Sequence, residues 1–246
     1  MVDLSKMDKH AVARMMDYSI LPKNTTEAEI RNGCALTRQY HFAAFYSASA
    51  YWSPIVVEEL RGYPDVEVGT GIAFPWGAAP ANVKAFEVED AVRRGCTAVD
   101  LVMNIGALKD KRYAVVEEEL QSFVKAAGGA VTKCILEVCF LSDEDIAAGC
   151  GLVAGAGIGF AKTSSGQFEG PSLEQFLVMK RALEGTGVKL KVAGVKFPRP
   201  QNAYFFIMAG AERVGTRAAP EIVDALDQMR ELGIVPGPAA VPEPVM

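Results

Sequence analysis

Two lysines close short apolar runs, Lys162 in Gly159-Phe-Ala-Lys162-Thr-Ser-Ser-Gly166 and Lys196 in Val192-Ala-Gly-Val-Lys196. An ammonium buried beside a second cation is driven toward the free amine, the form that attacks carbonyl carbon, so this pairing suggests Schiff-base chemistry. An ordinary lysine is neutral only about once in 2,500 molecules at pH 7, whereas a value lowered to ~7.5 leaves roughly a quarter neutral. A lysine ending a strand can equally snorkel to solvent. The elements around it decide between the two readings.

The 246 residues are half hydrophobic and 22% charged, with a net charge of −5. That composition describes a globular chain and argues against general attraction to nucleic acid or an anionic membrane. Five cysteines without a CxxC pair and only two histidines, His10 and His41, make a metal site unexpected. The start lacks an apolar leader core and no long uncharged apolar stretch occurs, so the expectation is a soluble protein of the reducing cytoplasm.

Short β-rich runs fall at roughly 15–21, 42–47, 66–74, 98–104, 133–140, 158–164, 190–196 and 212–216. Amphipathic helical stretches lie between them: Thr26 to Tyr40, Asn82 to Arg94, Tyr113 to Ala127, Asp143 to Ala154 and Leu173 to Leu183. Several runs are apolar on both faces, as parallel strands covered by helices must be. Eight βα units predict an α/β fold, a single (β/α)8 TIM barrel over residues 1–234, followed by a Pro-rich tail from Val235 to Met246. An open doubly wound sheet is the alternative, but the Gly-x-Gly-x-x-Gly turn after its first strand is missing. In a barrel the strands' C-terminal ends carry function, and alternation turns some of Asp17, Asp100, Asn104, Lys133 and Glu137 inward, where a charge needs a partner or a task. Lys133 and Glu137, four apart on one strand, could form an internal ion pair. Trp52, Phe74 and Trp76 read as packing residues.

Ala98-Val-Asp100-Leu-Val-Met-Asn104-Ile-Gly106-Ala-Leu-Lys109, Phe160-Ala-Lys162-Thr163-Ser164-Ser165-Gly166 and Gly194-Val-Lys196 occur in this order. Together with Asp17-Tyr-Ser-Ile-Leu, Phe74-Pro-Trp-Gly-Ala and Lys133-x-Ile-Leu-Glu137 they resemble the motifs of class I deoxyribose-phosphate aldolases, from about Asp17 to Gly215. The resemblance implies Lys162 as the Schiff-base residue, with Asp100 and Lys196 as its proton relay and no cofactor. It further implies that Asp17, Ser19, Thr163, Ser165, Arg199, Gly215, Thr216 and Arg217 contact substrate, with Lys133, Glu137 and Asn104 supporting them. The implied activity is reversible cleavage of 2-deoxy-D-ribose 5-phosphate, or a related β-hydroxy aldehyde, to acetaldehyde and a glyceraldehyde or its phosphate. The implied partner is a small carbonyl substrate, with or without phosphate, in a homo-oligomer.

Several positions depart from the family pattern. Its second lysine is followed by Ser-Gly-Gly or Ala-Gly-Gly, whose amides cradle phosphate, but Lys196 is followed by Phe-Pro-Arg199-Pro-Gln. Prolines offer no N–H, so loss of that nest is expected. Gly215-Thr216-Arg217-Ala218 replaces Gly-Thr/Ala-Ser-Ser, Tyr18 stands where His is common, and Phe45-Tyr46-Ser47-Ala48-Ser49 replaces Cys-Val-Asn-Pro. Arg199 and Arg217 would then read an anion by side chain, or point to solvent. Two further readings stay open: a lysine Schiff-base enzyme for a non-phosphorylated or differently charged carbonyl compound, and a metabolite-binding barrel without catalysis.

Overall fold

The computed structural model describes residues 3–237. Eight parallel strands close into a barrel in chain order: β1 (Met16–Ile20), β2 (Ala44–Ser47), β3 (Glu67–Ile72), β4 (Ala98–Val102), β5 (Val131–Ile135), β6 (Phe160–Lys162), β7 (Lys189–Ala193) and β8 (Arg213–Thr216). Every neighbouring pair is parallel, including the β1–β8 closure. All eight expected strands are present, most of them shorter than the apolar runs.

Three of the helices between strands start at a capping box. Thr26, Ser142 and Ser172 each accept a backbone N–H at the N-terminus of Glu27–Tyr40, Asp143–Gly155 and Leu173–Ala182, and the third helical residue reciprocates. Their buried stripes follow the 3.6-residue period, as in Ile30, Gly33, Cys34 and Thr37 or Ile146, Gly149, Cys150 and Val153. Those stripes pack on outward-facing strand residues such as Val99, Leu101, Cys134, Val192 and Val214, forming one largely apolar sleeve around the barrel.

Helices Ser53–Glu59, Arg199–Ala209 and Ala219–Asp224 were not expected. Each carries proline in its first turn, where the missing N–H costs nothing, although in the sequence these prolines look like breakers. Residues 238–246 of the expected tail lie outside the described residues. Val235, its first residue, is buried and donates its N–H to Met229. Among the described residues no helix is long and apolar enough to cross a membrane.

Candidate active site

The strand register sets the site. Lys162, the last residue of β6, lies directly opposite Lys191 of β7. Lys162 Nζ donates to Asp100 Oδ2 at 2.7 Å, and Lys191 Nζ donates to the same oxygen at 2.8 Å. Lys191 also lies 2.7 Å from Asp17 Oδ2. Asp100 Oδ1 has no hydrogen-bond partner among the described residues, and Asp100 lines the cavity, so that oxygen can serve a substrate.

Lys196 does not occupy the place expected of it. β7 ends at Ala193, and Gly194, at φ 72°, turns the chain away. A side chain at Gly194 would crowd the Cα of Gly170, so β7's end and the loop after β6 meet backbone to backbone. Lys196 emerges on the rim, its side chain 55% exposed, and donates to Glu169 at 2.8 Å. The expectation extended β7 three residues too far. The missed residue carried a signal: Lys191 sits between Leu190 and Val192, which face the sleeve, so alternation turns it into the barrel.

The barrel interior beneath is charged as well. Lys133 Nζ donates to Tyr46 Oη at 2.6 Å and to Glu67 Oε2 at 2.8 Å, and stands 3.7 Å from Asp17. Arg213 bridges Asp17 Oδ1 at 2.9 Å and Glu67 Oε1 at 3.0 Å. Tyr46 fills the middle, its ring centroid 4.0 Å from Lys191 Nζ, and a side chain at Gly69 would collide with that ring. Lys133 therefore pairs with Glu67 and not with Glu137. β5 ends at Ile135, and Glu137, at φ 53°, turns its carboxylate to accept the Ser165 N–H at 3.0 Å. Asn104 is a helix cap, accepting from Ala107, while its own N–H goes to the buried Glu119. Thr163 joins β6 to β7 by hydrogen bonds with both backbone groups of Ala193.

A cavity of about 560 Å³ opens above these groups at the strands' C-terminal ends. Of the candidate substrate contacts, Asp17, Ser19, Ser165, Gly215, Thr216, Arg199 and Arg217 line it, whereas Thr163 does not. Lys196 and Tyr46 line it too. Tyr18 faces outward between Phe42 and Phe45, so its departure from His leaves the cavity untouched. With Lys191 as the second lysine, the residues that follow it are Val192-Ala193-Gly194, and one small-residue step of the expected nest remains. Trp76, expected to pack, is 74% exposed and meets Phe168 of the rim edge-on.

Burial brings the Lys162 ammonium down to about 8; Asp100 opposes that shift and Lys191 adds to it. Burial alone would raise the Asp17 carboxyl, yet Lys191, Lys133 and Arg213 hold it at about 2. Asp100, likewise opposed by burial, is held well below the carboxylate range by Lys162, Lys191 and Lys133. Lys191 goes up despite burial, because Asp100 and Asp17 both face it. The interior thus sets four cations, Lys133, Lys162, Lys191 and Arg213, against three carboxylates, Asp17, Glu67 and Asp100. Charges balance when Lys162 is the neutral amine. At a value of about 8, roughly a tenth of the molecules hold it so at pH 7, about 230 times the share for an ordinary lysine.

Fold and site together define a barrel lyase built around an amine, with a carboxylate and a fixed ammonium beside it. A curated deoxyribose-phosphate aldolase of Halalkalibacterium halodurans is 39% identical over 215 residues, spanning 87% of this chain and 95% of that protein. Another from Bacillus cereus is 38% identical over 213 residues, 86% and 94% of the two chains. Among solved structures, an aldolase named QR15 superposes with a TM-score of 0.81 at 28% identity, covering 90% and 98%. The deoxyribose phosphate aldolase of Aeropyrum pernix, described as a tetramer, superposes at 0.82 with 23% identity, covering 90% and 93%. No family model matches the chain. The chain belongs to the deoxyribose-phosphate aldolase family.

Proposed function

We propose that this protein cleaves 2-deoxy-D-ribose 5-phosphate reversibly to acetaldehyde and glyceraldehyde 3-phosphate, through a Schiff base on Lys162, in the cytoplasm and as a homo-oligomer. The supporting observation is the Lys162 amine, buried at the end of β6 between Asp100 and Lys191. The neutral amine attacks the substrate's aldehyde carbon, and loss of water gives a protonated imine. Asp100 takes a proton from the C3 hydroxyl, directly or through water. The C2–C3 bonding pair then flows into the imine, releasing glyceraldehyde 3-phosphate and leaving an enamine. Protonation of that enamine carbon and hydrolysis of the imine return acetaldehyde and the free amine. Lys191 stays charged, holds the Asp100 carboxylate in place and is the second cation beside the nucleophile, a position the resemblance had given to Lys196. Five free cysteines, four of them buried, suit a reducing compartment.

Arg199 and Arg217 supply the anion end of the reading. Both line the cavity on the β7–β8 arc, and a guanidinium fork matches a phosphate's oxygens. Trapping with acetaldehyde and borohydride, followed by peptide mass mapping, is expected to find the adduct on Lys162, and an unmodified Lys162 would overturn the reading. Arg199→Ala and Arg217→Ala are each expected to raise KM for the phosphorylated sugar about tenfold while leaving free deoxyribose nearly unaffected. Equal losses on both sugars would remove phosphate recognition from these side chains.

A further inference from the structure

Glu67 lies at the first position of β3, at the opposite end of the barrel from the substrate cavity, and does not line that cavity. Its carboxylate nevertheless holds both cations that compete for Asp17: Lys133 at 2.8 Å and Arg213 at 3.0 Å. Asp17 in turn holds Lys191, and Lys191 shares Asp100 with Lys162. These ion pairs run without a break from the barrel's N-terminal end to the candidate nucleophile.

We propose that Glu67 is a positioning residue for the reaction: by neutralising Lys133 and Arg213 it leaves Asp17 to Lys191, and so sets how readily Lys162 gives up its proton. The inference rests on the Schiff-base reading above. The groups facing this chain of ion pairs come from all sides of the barrel. Tyr46 of β2 stays neutral, its phenol pushed well up by burial and by Asp100, Asp17 and Glu67. Glu137 acts on Lys162 from beyond β5. Lys189 of β7 stands over the Phe160 ring, its Nζ 5.6 Å from the centroid.

Removing the Glu67 charge leaves four cations facing two carboxylates. Lys133 and Arg213 then turn fully to Asp17, Lys191 draws harder on Asp100, and the Lys162 ammonium loses support. A charge linked through such a run of ion pairs in a poorly solvated interior moves that equilibrium by an amount of order half a unit to one unit. Removing Lys133 instead deletes a cation and drives Lys162 the opposite way. A merely structural defect would not reverse sign between the two.

The test is the pH at which borohydride trapping of acetaldehyde is half-maximal, read by intact mass on the full chain, with circular dichroism checking the fold. Glu67→Gln is expected to lower that midpoint by about half a pH unit or more, and Lys133→Met to raise it. Glu67→Asp, which keeps the charge, is expected to leave the midpoint close to its original position, and Glu67→Met, which removes the same charge, serves in place of Glu67→Gln should that variant not fold. An unmoved midpoint in Glu67→Gln, shifts of the same sign in Glu67→Gln and Lys133→Met, or an equal shift in Glu67→Asp would overturn the inference. Absence of trapping in the unmodified protein at every pH would instead overturn the Schiff-base reading itself.

Discussion

The inside and the outside of the same eight strands are built on opposite principles. Outward-facing residues such as Val99, Leu101, Cys134, Val192 and Val214 meet helices in a largely apolar sleeve that includes the buried Lys84–Glu119 ion pair. Inward-facing residues of the same strands include Asp17, Asp100, Lys133, Lys162 and Lys191, packed around Tyr46 with Phe160 and the small Ala44 and Ala98 as apolar filling. The sleeve stabilises by burial, at roughly 25 cal/mol per Å² of apolar area, and tolerates exchange between residues of similar volume. The interior contributes stability only if every charge keeps its partner, because breaking a buried pair strands a charge. Stability and chemistry are thereby assigned to alternate residues of one strand.

The sharpest break in that division is a pair of single substitutions. Lys162→Met is expected to abolish imine trapping and to cut turnover at least ~10⁴-fold while leaving a folded barrel, since it deletes the nucleophile but keeps its volume. Phe176→Ala, in the sleeve against Phe206, is expected to lose about 3–5 kcal/mol of stability while the pH of half-maximal trapping stays put. Denaturant unfolding and trapping, measured on both, check the contrast. A folded, stable Lys162→Met that still turned over would end the assignment.

Lys191→Met comes next. Asp100 would keep only Lys162 as a close partner, so the Lys162 ammonium would be better held and the midpoint of trapping would rise. A loss of about 10²–10³-fold in turnover at pH 7 is expected, shrinking as pH increases, and a pH–rate profile checks it. A loss that does not shrink with pH would mean that Lys191 does more than hold charges.

How much of this was legible depended on which periodicity carried it. The eight strands and five of the six helices of ten or more residues could be read because apolar periodicity is a local signal, whereas the pairing of Asp100 with Lys162 was expected from the motif resemblance. Lys191 was missed although it too is local: a motif match drew attention to Lys196, three residues past the true end of β7. Glu67 and Arg213 were invisible because each looks like a surface charge at a strand's first residue, and only closure of the barrel brings them to Lys133 and Asp17. The turn at Glu137 could not be foreseen, since a left-handed glutamate carries no sequence mark.

The pH dependence separates activity from stability within the barrel interior. Lys162 has an ordinary value of 10.5 and about 8 in the fold. Below about 8 both folded and unfolded chains carry the proton and the folded state bears the whole cost of burying it. Between about 8 and 10.5 the unfolded chain holds more protons, so this group's contribution to stability rises with pH there. Asp17 has the same sign in a more acid window: its ordinary 3.8 falls to about 2, so it stabilises, and that contribution is complete above 3.8 and is lost as pH drops through about 2. Activity is expected to fall about tenfold per unit as pH goes below 8, well before acid weakens the barrel. Parallel profiles of kcat/KM and of unfolding free energy check this, and coincident losses would tie activity to unfolding rather than to Lys162.

Lys196→Met should have the smallest effect, and it is informative for that reason. Lys196 and Glu169 are both largely exposed, and an exposed pair contributes at most about 1 kcal/mol. Its ammonium lies on the rim, outside the hydrogen-bonded chain that joins Lys162, Asp100 and Lys191. The variant is expected to trap acetaldehyde with an unchanged midpoint and to lose less than about threefold in kcat, any larger effect falling on KM for a phosphorylated substrate. Set beside Lys191→Met, it distinguishes a lysine that tunes the nucleophile from one that only faces the cavity. If Lys196→Met moved the midpoint upward as Lys191→Met does, the second ammonium would be the rim lysine after all. The charge balance inside the barrel would then no longer explain why Lys162 gives up its proton.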